Sequence, residues 1–325
     1  MATPLGASPI PGQLADLADR SASPAAVRTA LTHLIERSAP LAEHVCGTPK
    51  LAEALVAVLA ASRSLTRLID ARPSDAIDVL GNLDYRPIAT IASADDLLAW
   101  RDLVFLRIAA RDLIGLDALD DVGAALAALG RDVLNEAWRL TEDGKCSIAV
   151  VGMGKLGGNE LNYSSDIDIL FVGEGERKTL DYRARAIMDI ARRCFRVDAN
   201  LRPEGRDGPL VRSVESYVSY WNRWAEPWEF QALLKARLVA GDVALGERWF
   251  DAAQRSLWER PFDAEALRSL RAMKARTEEE AAKTGTGNRE LKRAPGGIRD
   301  IEFTVQLLQL VHGHRDEDLR GSTTL

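Results

Sequence analysis

Residues Cys146–Val172, CSIAVVGMGKLGGNELNYSSDIDILFV, are the clearest indication of the fold class. It begins with an apolar, β-branched run that ends in glycine. It closes with Asp166–Val172, where Asp and Ile alternate before the sequence becomes wholly apolar. Short runs of this kind predict buried strands. Residues 194–201 predict a third strand, and residues 179–193 have helical spacing, so this part of the chain is expected to form a small sheet.

Helical patterns flank this stretch on both sides, with apolar residues recurring every three or four positions. Before it, helices are predicted over Ala26–Glu36, Leu51–Ile69 and Asp121–Leu140, and over a segment that Ser93 caps and that ends near Ala110. After it, helices are predicted over Val214–Trp224, Trp228–Val239, Ala264–Lys283 and Ile301–Val311. The expected fold class is α+β, with a helical N-terminal region (residues 1–145) followed by a mixed domain with a helical extension (residues 146–325).

Composition and charge restrict the possible functions. The 325 residues carry 42 Lys and Arg against 48 Asp and Glu, and 46% are hydrophobic, as in an ordinary globular protein. The acidic excess lies in residues 1–145, whereas residues 146–325 are balanced, so a nucleic-acid partner is not expected. No run reaches the roughly 20 apolar residues of a membrane span. Three widely spaced cysteines favour a reducing compartment, and we expect a cytoplasmic protein without a membrane partner.

The glycines of Gly152–Gly158 follow the first predicted strand and fit the pattern G-x-G-x-x-G. A dinucleotide-binding fold requires a full helix at this point, but the next strand begins only eight residues after Gly158. A Walker A loop requires a hydroxyl residue after its lysine, and leucine follows Lys155. The remaining interpretation is a flexible loop whose amides cradle phosphate, with Lys155 beside it.

Three carboxylates are the candidate catalytic and metal-binding residues. Asp166 and Asp168 are two apart on a predicted strand, so both project from one face. A solvated strand face is the common explanation of such a pair. Asp198, however, lies within the third predicted strand, where a charged side chain is unusual. Three converging carboxylates are what metal-assisted phosphoryl or nucleotidyl transfer requires.

Further polar residues follow Asp198, and their roles stay open. Arg202 and Arg206 suit bidentate phosphate contacts, with structural salt bridges as the alternative. Lys292–Glu302, which contains Arg299 and Asp300, predicts either ordinary helix capping or an anion-binding helix start. Three tryptophans are predicted to lie in the core rather than to stack on bases: Trp221, Trp224 and Trp228.

The string Val150–Val172 resembles the glutamine synthetase adenylyltransferase/adenylyl-removing enzymes. The similarity continues through Val197–Val211, Trp228–Arg237 and Lys292–Gly313. It implies a nucleotidyltransferase fold of the polymerase-β type, in which Asp166, Asp168 and Asp198 fall where the family carries its Mg²⁺-binding triad. It also implies nucleotide or phosphate binding by these residues: Lys155, Gly157, Gly158, Ser165, Arg202 and Arg206.

The sequences of Asn162–Ser165 and Gly208–Val211 are similar to those of the N-terminal, adenylyl-removing half of these enzymes. The resemblance therefore implies removal of AMP from a tyrosine of glutamine synthetase by phosphorolysis, in which inorganic phosphate attacks and ADP leaves. Transfer of AMP from ATP to that tyrosine, and a silent fragment that only docks glutamine synthetase, are the alternatives. Family members continue beyond the point where this chain stops, at Leu325, which predicts a fragment or a short relative. The PII nitrogen-signalling protein is an implied partner only of the full-length enzymes.

Overall fold

The computed structural model describes residues 10–37, 44–259, 262–283 and 296–323. The chain divides into two compact units, Met1–Leu129 and Gly130–Leu325. The division falls within one helix, Leu119–Leu140, so the last turns of that helix belong to the second unit. In the described ranges, no helix has both the length and the apolar character needed to cross a membrane.

The first unit is helical. Its described elements are α1 (Gly12–Arg20), α2 (Pro24–Arg37), α3 (Pro49–Ala61), α4 (Arg63–Ala71), α5 (Pro73–Gly81), α6 (Ala94–Leu113) and the start of α7 (Leu119–Leu140). The Ser93 hydroxyl accepts a hydrogen bond from the Asp96 amide, which confirms the predicted cap of α6. The single helix predicted over Leu51–Ile69 is wrong, because Ser62 ends α3 and caps α4 through the Leu65 amide.

The second unit is built on a five-stranded mixed sheet. Its strands are β1 (Ser147–Met153), β2 (Ile167–Glu174), β3 (Val197–Asp198), β4 (Val211–Arg212) and β5 (Arg237–Gly241). The order is β3-β2-β1-β5, and β4 also pairs with β2, beyond the short β3. The β1 strand is antiparallel to both β2 and β5, whereas β3 and β4 run parallel to β2.

Helices cover this sheet and extend beyond it. They are α8 (Arg177–Ala191), α9 (Val214–Arg223), α10 (Pro227–Leu233), α11 (Val243–Trp258), α12 (Ala264–Lys283) and α13 (Ile298–His312). Val151 and Leu170 pack on Tyr217, Trp221 and Trp249 of α9 and α11. The α+β class predicted from the sequence is confirmed.

Two predicted elements of the second unit differ from the structure. The third strand, expected over residues 194–201, is only two residues long. The helix expected over Trp228–Val239 ends at Leu233, and the chain then enters β5, which pairs with β1. That pairing joins residues some ninety positions apart, so local periodicity carries no signal of it. The β4 strand was not predicted for the same reason.

Candidate active site

Asp168 and Asp198 lie side by side at one end of the sheet. Asp168 is the second residue of β2, and the parallel register pairs it directly with Asp198 of β3. Paired residues on adjacent strands project from the same face, so the two half-buried carboxylates are neighbours. The Asn200 amide donates to Asp198 Oδ1 at 2.7 Å, which fixes one side of this pair.

Asp166 lies one residue before β2 and is exposed. Its carboxylate makes an ion pair with Arg196, with 2.5 Å between Arg196 Nε and Asp166 Oδ1. Arg196 also donates to the carbonyl of Ser164 at 2.6 Å. The third predicted carboxylate is therefore held by a cation, whereas Asp168 and Asp198 are paired on adjacent strands.

The segment predicted to be a flexible phosphate-cradling loop is instead ordered. The β1 strand continues through Met153, and Gly154–Gly157 forms a single helical turn, called here the glycine turn. Gly154 has a φ of +52°, and a Cβ placed on it would lie 2.8 Å from Asp168 Oδ2. The backbone of the glycine turn therefore lies directly against one of the paired carboxylates, which requires glycine at this position.

Gly157 and Gly158 pack against the chain that leads into β5. A Cβ on Gly157 would lie 1.7 Å from the Lys235 carbonyl oxygen, and Gly158 is close to the Lys235 side chain. Arg237 Nε donates to the Gly157 carbonyl at 2.9 Å, closing the same contact. These two glycines thus serve close packing, and half-buried Lys155 is the side chain that the glycine turn carries.

Lys235 is a buried cation that sequence reasoning missed. Its ammonium lies 2.8 Å from Glu160 Oε2 and 3.8 Å from Glu302 Oε1, and its side chain is only 8% exposed. The interaction joins the chain after the glycine turn to α13. No feature of the run Trp228–Arg237 distinguishes this lysine from a surface residue of an amphipathic helix, so the sequence carried no clear signal.

Ser165 and Arg202 hold loops beside the carboxylates. The Ser165 hydroxyl donates to Asn162 Oδ1 at 2.7 Å and accepts from the Asn162 amide, which closes the turn before Asp166. Arg202 donates to three carbonyls of its own loop, those of Ala199, Arg206 and Gly208. Burial lowers the pKa of Arg202. Both side chains brace the backbone that surrounds the paired aspartates, and Arg206 is exposed.

Two cavities flank the aspartate pair. The first, of about 260 Å³, contains Gly154, Trp228, Lys235, Arg299 and Phe303 in its wall. The second, of about 550 Å³, has a wall that includes Asp166, Asp198, Arg202 and Arg206. Asp166, Asp198 and the two predicted arginines are thus brought to one cleft, whereas Lys155, Gly157 and Gly158 line neither cavity.

The aspartates suit a hard divalent cation only in part. Within the described residues, no group of three His, Cys, Asp or Glu side chains is arranged to hold a metal ion. Asp168 and Asp198 supply two adjacent carboxylates, the oxygen ligands that Mg²⁺ prefers. Asp166 would complete the set only after leaving Arg196. The carboxylate oxygens are suitable ligands for Mg²⁺. The Asp166–Arg196 ion pair must break before all three aspartates can bind one cation.

The remaining predicted features divide between core and surface. Trp221 lies in the core as predicted, but Trp224 is 73% exposed and Trp228 borders the first cavity, so the prediction is wrong for these two. Residues 292–295 lie outside the described residues. In the part that follows, Asp300 accepts from the Gly296 amide at 2.6 Å, in keeping with helix capping.

Arginines of α8 and of the turn after it were also missed. Arg185 lies on α8, Arg192 is the C-cap residue of that helix and Arg196 lies in the turn that follows, and all three line the second cavity. Arg185 and Arg192 are seven residues apart, which places them two turns apart on one helix face. That spacing was the signal available in the sequence.

Comparison with known proteins agrees with the family resemblance. Residues 28–193 and 188–252 match the family model described as Glutamate-ammonia ligase adenylyltransferase. The chain belongs to this family. Residues 271–324 match a second model, GlnD PII-uridylyltransferase. Membership in the glutamate-ammonia ligase adenylyltransferase family identifies the chain as containing a nucleotidyltransferase-type domain and confirms the resemblance drawn from Val150–Val172.

Three relatives carry the name bifunctional glutamine synthetase adenylyltransferase/adenylyl-removing enzyme. The protein of Streptomyces coelicolor is 44% identical over 68% of this chain and 24% of its own length. That of Streptomyces avermitilis is 38% identical over 92% of this chain and 30% of its own length. That of Mycobacterium tuberculosis H37Rv is 44% identical over 74% of this chain and 24% of its own length. The chain therefore spans less than a third of the length of these family members.

Proposed function

We propose that this chain removes AMP from an adenylylated tyrosine of glutamine synthetase by Mg²⁺-dependent phosphorolysis, releasing ADP. One observation carries the proposal: the parallel register that sets Asp168 beside Asp198, with the glycine turn against Asp168. The names of the relatives, which combine adenylyl transfer with adenylyl removal, support the choice of substrate.

Two adjacent carboxylates at a strand end repel each other, and a bound cation relieves that repulsion. Asp168 and Asp198 are the residues proposed to hold Mg²⁺, joined by Asp166 when it leaves Arg196. When bound, the cation would supply charge neutralisation at the phosphate oxygens and the leaving phenolate.

The first cavity is proposed to receive the AMP group. It lies next to Gly154, and therefore next to Asp168. Trp228 and Phe303 offer aromatic surface for a base, and the Arg299 guanidinium offers charge for a phosphate. Lys155 is proposed to contact the α-phosphate from the glycine turn, and the braced loop after Asp198 keeps its carboxylate oriented.

The test is incubation of adenylylated glutamine synthetase with this chain, Mg²⁺ and inorganic phosphate, with ADP release as the measurement. We expect ADP only when phosphate is present, and at least a roughly hundredfold loss in Asp168→Asn because a preorganised electrostatic contact is removed. Asp207→Asn is the matched control, since this exposed aspartate lies outside the wall of either cavity.

The alternatives give different results in the same assay. Labelling of unmodified glutamine synthetase from ATP, without phosphate-dependent ADP release, would assign the forward transfer instead. Binding of glutamine synthetase by a folded chain with neither reaction would assign a docking role. Either result would refute the removal activity.

A further inference from the structure

The second cavity is an arginine-rich cleft beside β3. Its wall contains five arginines and two aspartates in a chain whose net charge is −6. The arginines come from three places: Arg185 from α8, Arg192 and Arg196 from the turn after it, and Arg202 and Arg206 from the loop after β3. Such a concentration of guanidiniums on an acidic protein creates a local field that attracts anions.

These guanidiniums differ in what they already contact. The Arg202 guanidinium donates hydrogen bonds to loop carbonyls, and Arg196 forms an ion pair with Asp166. Among the described residues, the side chains of Arg185 and Arg206 make no hydrogen bond or ion pair. Arg185 is close enough to Arg202 to add to the lowering of its pKa, after burial as the main cause. Of the residues that the structure describes, no carboxylate forms an ion pair with these two guanidiniums.

We propose that this arginine cleft binds the inorganic phosphate that attacks the adenylyl group, with Arg185 and Arg206 as its principal contacts. This inference rests on the proposed deadenylylation. Phosphate suits the cleft because it is a small dianion that accepts bidentate hydrogen bonds from arginine. Asp198 belongs to the wall of the cleft, so a phosphate bound there lies beside the carboxylate pair.

The cleft and the first cavity flank the aspartate pair, and this arrangement suits an in-line reaction between two phosphates. An oxygen of HPO₄²⁻ forms a bond to the α-phosphorus, and the bond between that phosphorus and the tyrosine oxygen breaks. The proton of the attacking phosphate is transferred to the phenolate oxygen. The products are ADP and an unmodified tyrosine, and no other reactant is required.

A direct measurement of phosphate binding tests this site independently of the deadenylylation activity. Calorimetric titration of the whole chain with inorganic phosphate, with and without Mg²⁺, would compare the native sequence with the double variant Arg185→Gln/Arg206→Gln. The matched control is Arg193→Gln, because Arg193 is exposed next to Arg192 but is not part of the cleft wall. Circular dichroism melts would establish that each variant folds.

We expect the double variant to bind phosphate at least tenfold more weakly, since each charge-assisted hydrogen bond contributes roughly that factor. The control should retain native affinity. In the deadenylylation assay, the KM for phosphate should rise in the double variant while the KM for adenylylated glutamine synthetase stays unchanged.

An unchanged phosphate affinity in a folded double variant would overturn the site, even if ADP release were observed. If the native chain binds phosphate but releases no ADP, and the double variant loses that binding, the site is supported while the proposed function is refuted. The cleft could also serve the terminal phosphates of ATP. Binding of pyrophosphate without binding of inorganic phosphate would assign it to them and overturn the inference.

Discussion

Replacement of Gly157 by alanine tests whether the glycine turn is shaped by packing. The new Cβ would lie 1.7 Å from the Lys235 carbonyl oxygen and 2.5 Å from that of Gly152. Ordinary van der Waals contact requires a separation of about 3.5 Å, so the two segments must move apart by roughly 1.5–2 Å. Both obstructing atoms belong to the backbone, which relaxes less readily than a side chain. Overpacking of this severity should cost about 3 kcal/mol or more in unfolding free energy.

The same displacement would disturb two neighbouring contacts. Arg237 donates to the Gly157 carbonyl, and the Lys235 ammonium pairs with Glu160. For a unit of roughly 150–250 residues, 3 kcal/mol corresponds to a fall in Tm of about 6–12 °C.

Urea unfolding followed by tryptophan fluorescence is a suitable assay, because every tryptophan except Trp100 lies in the second unit. Gly321→Ala is the matched control, since a Cβ there meets nothing within 4 Å. An unfolding free energy for Gly157→Ala within about 0.5 kcal/mol of the native value would refute the packing argument.

Two further perturbations test ion pairs. Lys235→Met should lower the unfolding free energy of the second unit by about 3 kcal/mol, because it leaves the largely buried Glu160 without its cation. Adding Glu160→Gln should recover part of that loss in urea titrations. In the first unit, the bidentate contact with Arg111 lowers the pKa of Asp117. Asp117→Asn should therefore destabilise that unit by about 1–2 kcal/mol at pH 7. The difference should begin to shrink as the pH falls below the unfolded-state pKa of about 3.9, and it should be lost as the pH passes the lower pKa of the native carboxylate. A pH-independent difference in thermal melts would contradict this linkage.

Much of the fold could be predicted because its signals are local. The Ser93 cap precedes two acidic residues and an apolar helix. The β1 and β2 strands are continuous apolar or alternating Asp and Ile runs. The β5 strand could not be predicted, because its conformation depends on hydrogen bonds to β1 rather than on its own composition. The segment that leads into β5 continues the helical spacing of α10. The helix predicted over Trp228–Val239 therefore extended past Leu233, where α10 ends.

The residues of the candidate site differ in the same way in how well they could be predicted. Asp168 and Asp198 could be predicted as members of a converging set of carboxylates because each lies on a strand, where geometry fixes which face a side chain takes. The register that pairs these two directly, rather than Asp168 with Asp166, came only from the structure. Asp166 and Arg202 could be identified as candidate site residues, but their contacts could not be predicted. Both lie in loops, where the conformation of a side chain depends on its nearest partners. Arg196 is two residues from Asp198 in sequence, yet its guanidinium reaches across to Asp166. The cation that holds the third carboxylate therefore belongs to the same arginine cleft that we propose for phosphate. For that reason, we expect an anion bound in the cleft to compete with Asp166 for Arg196, an effect that residue types alone could not indicate.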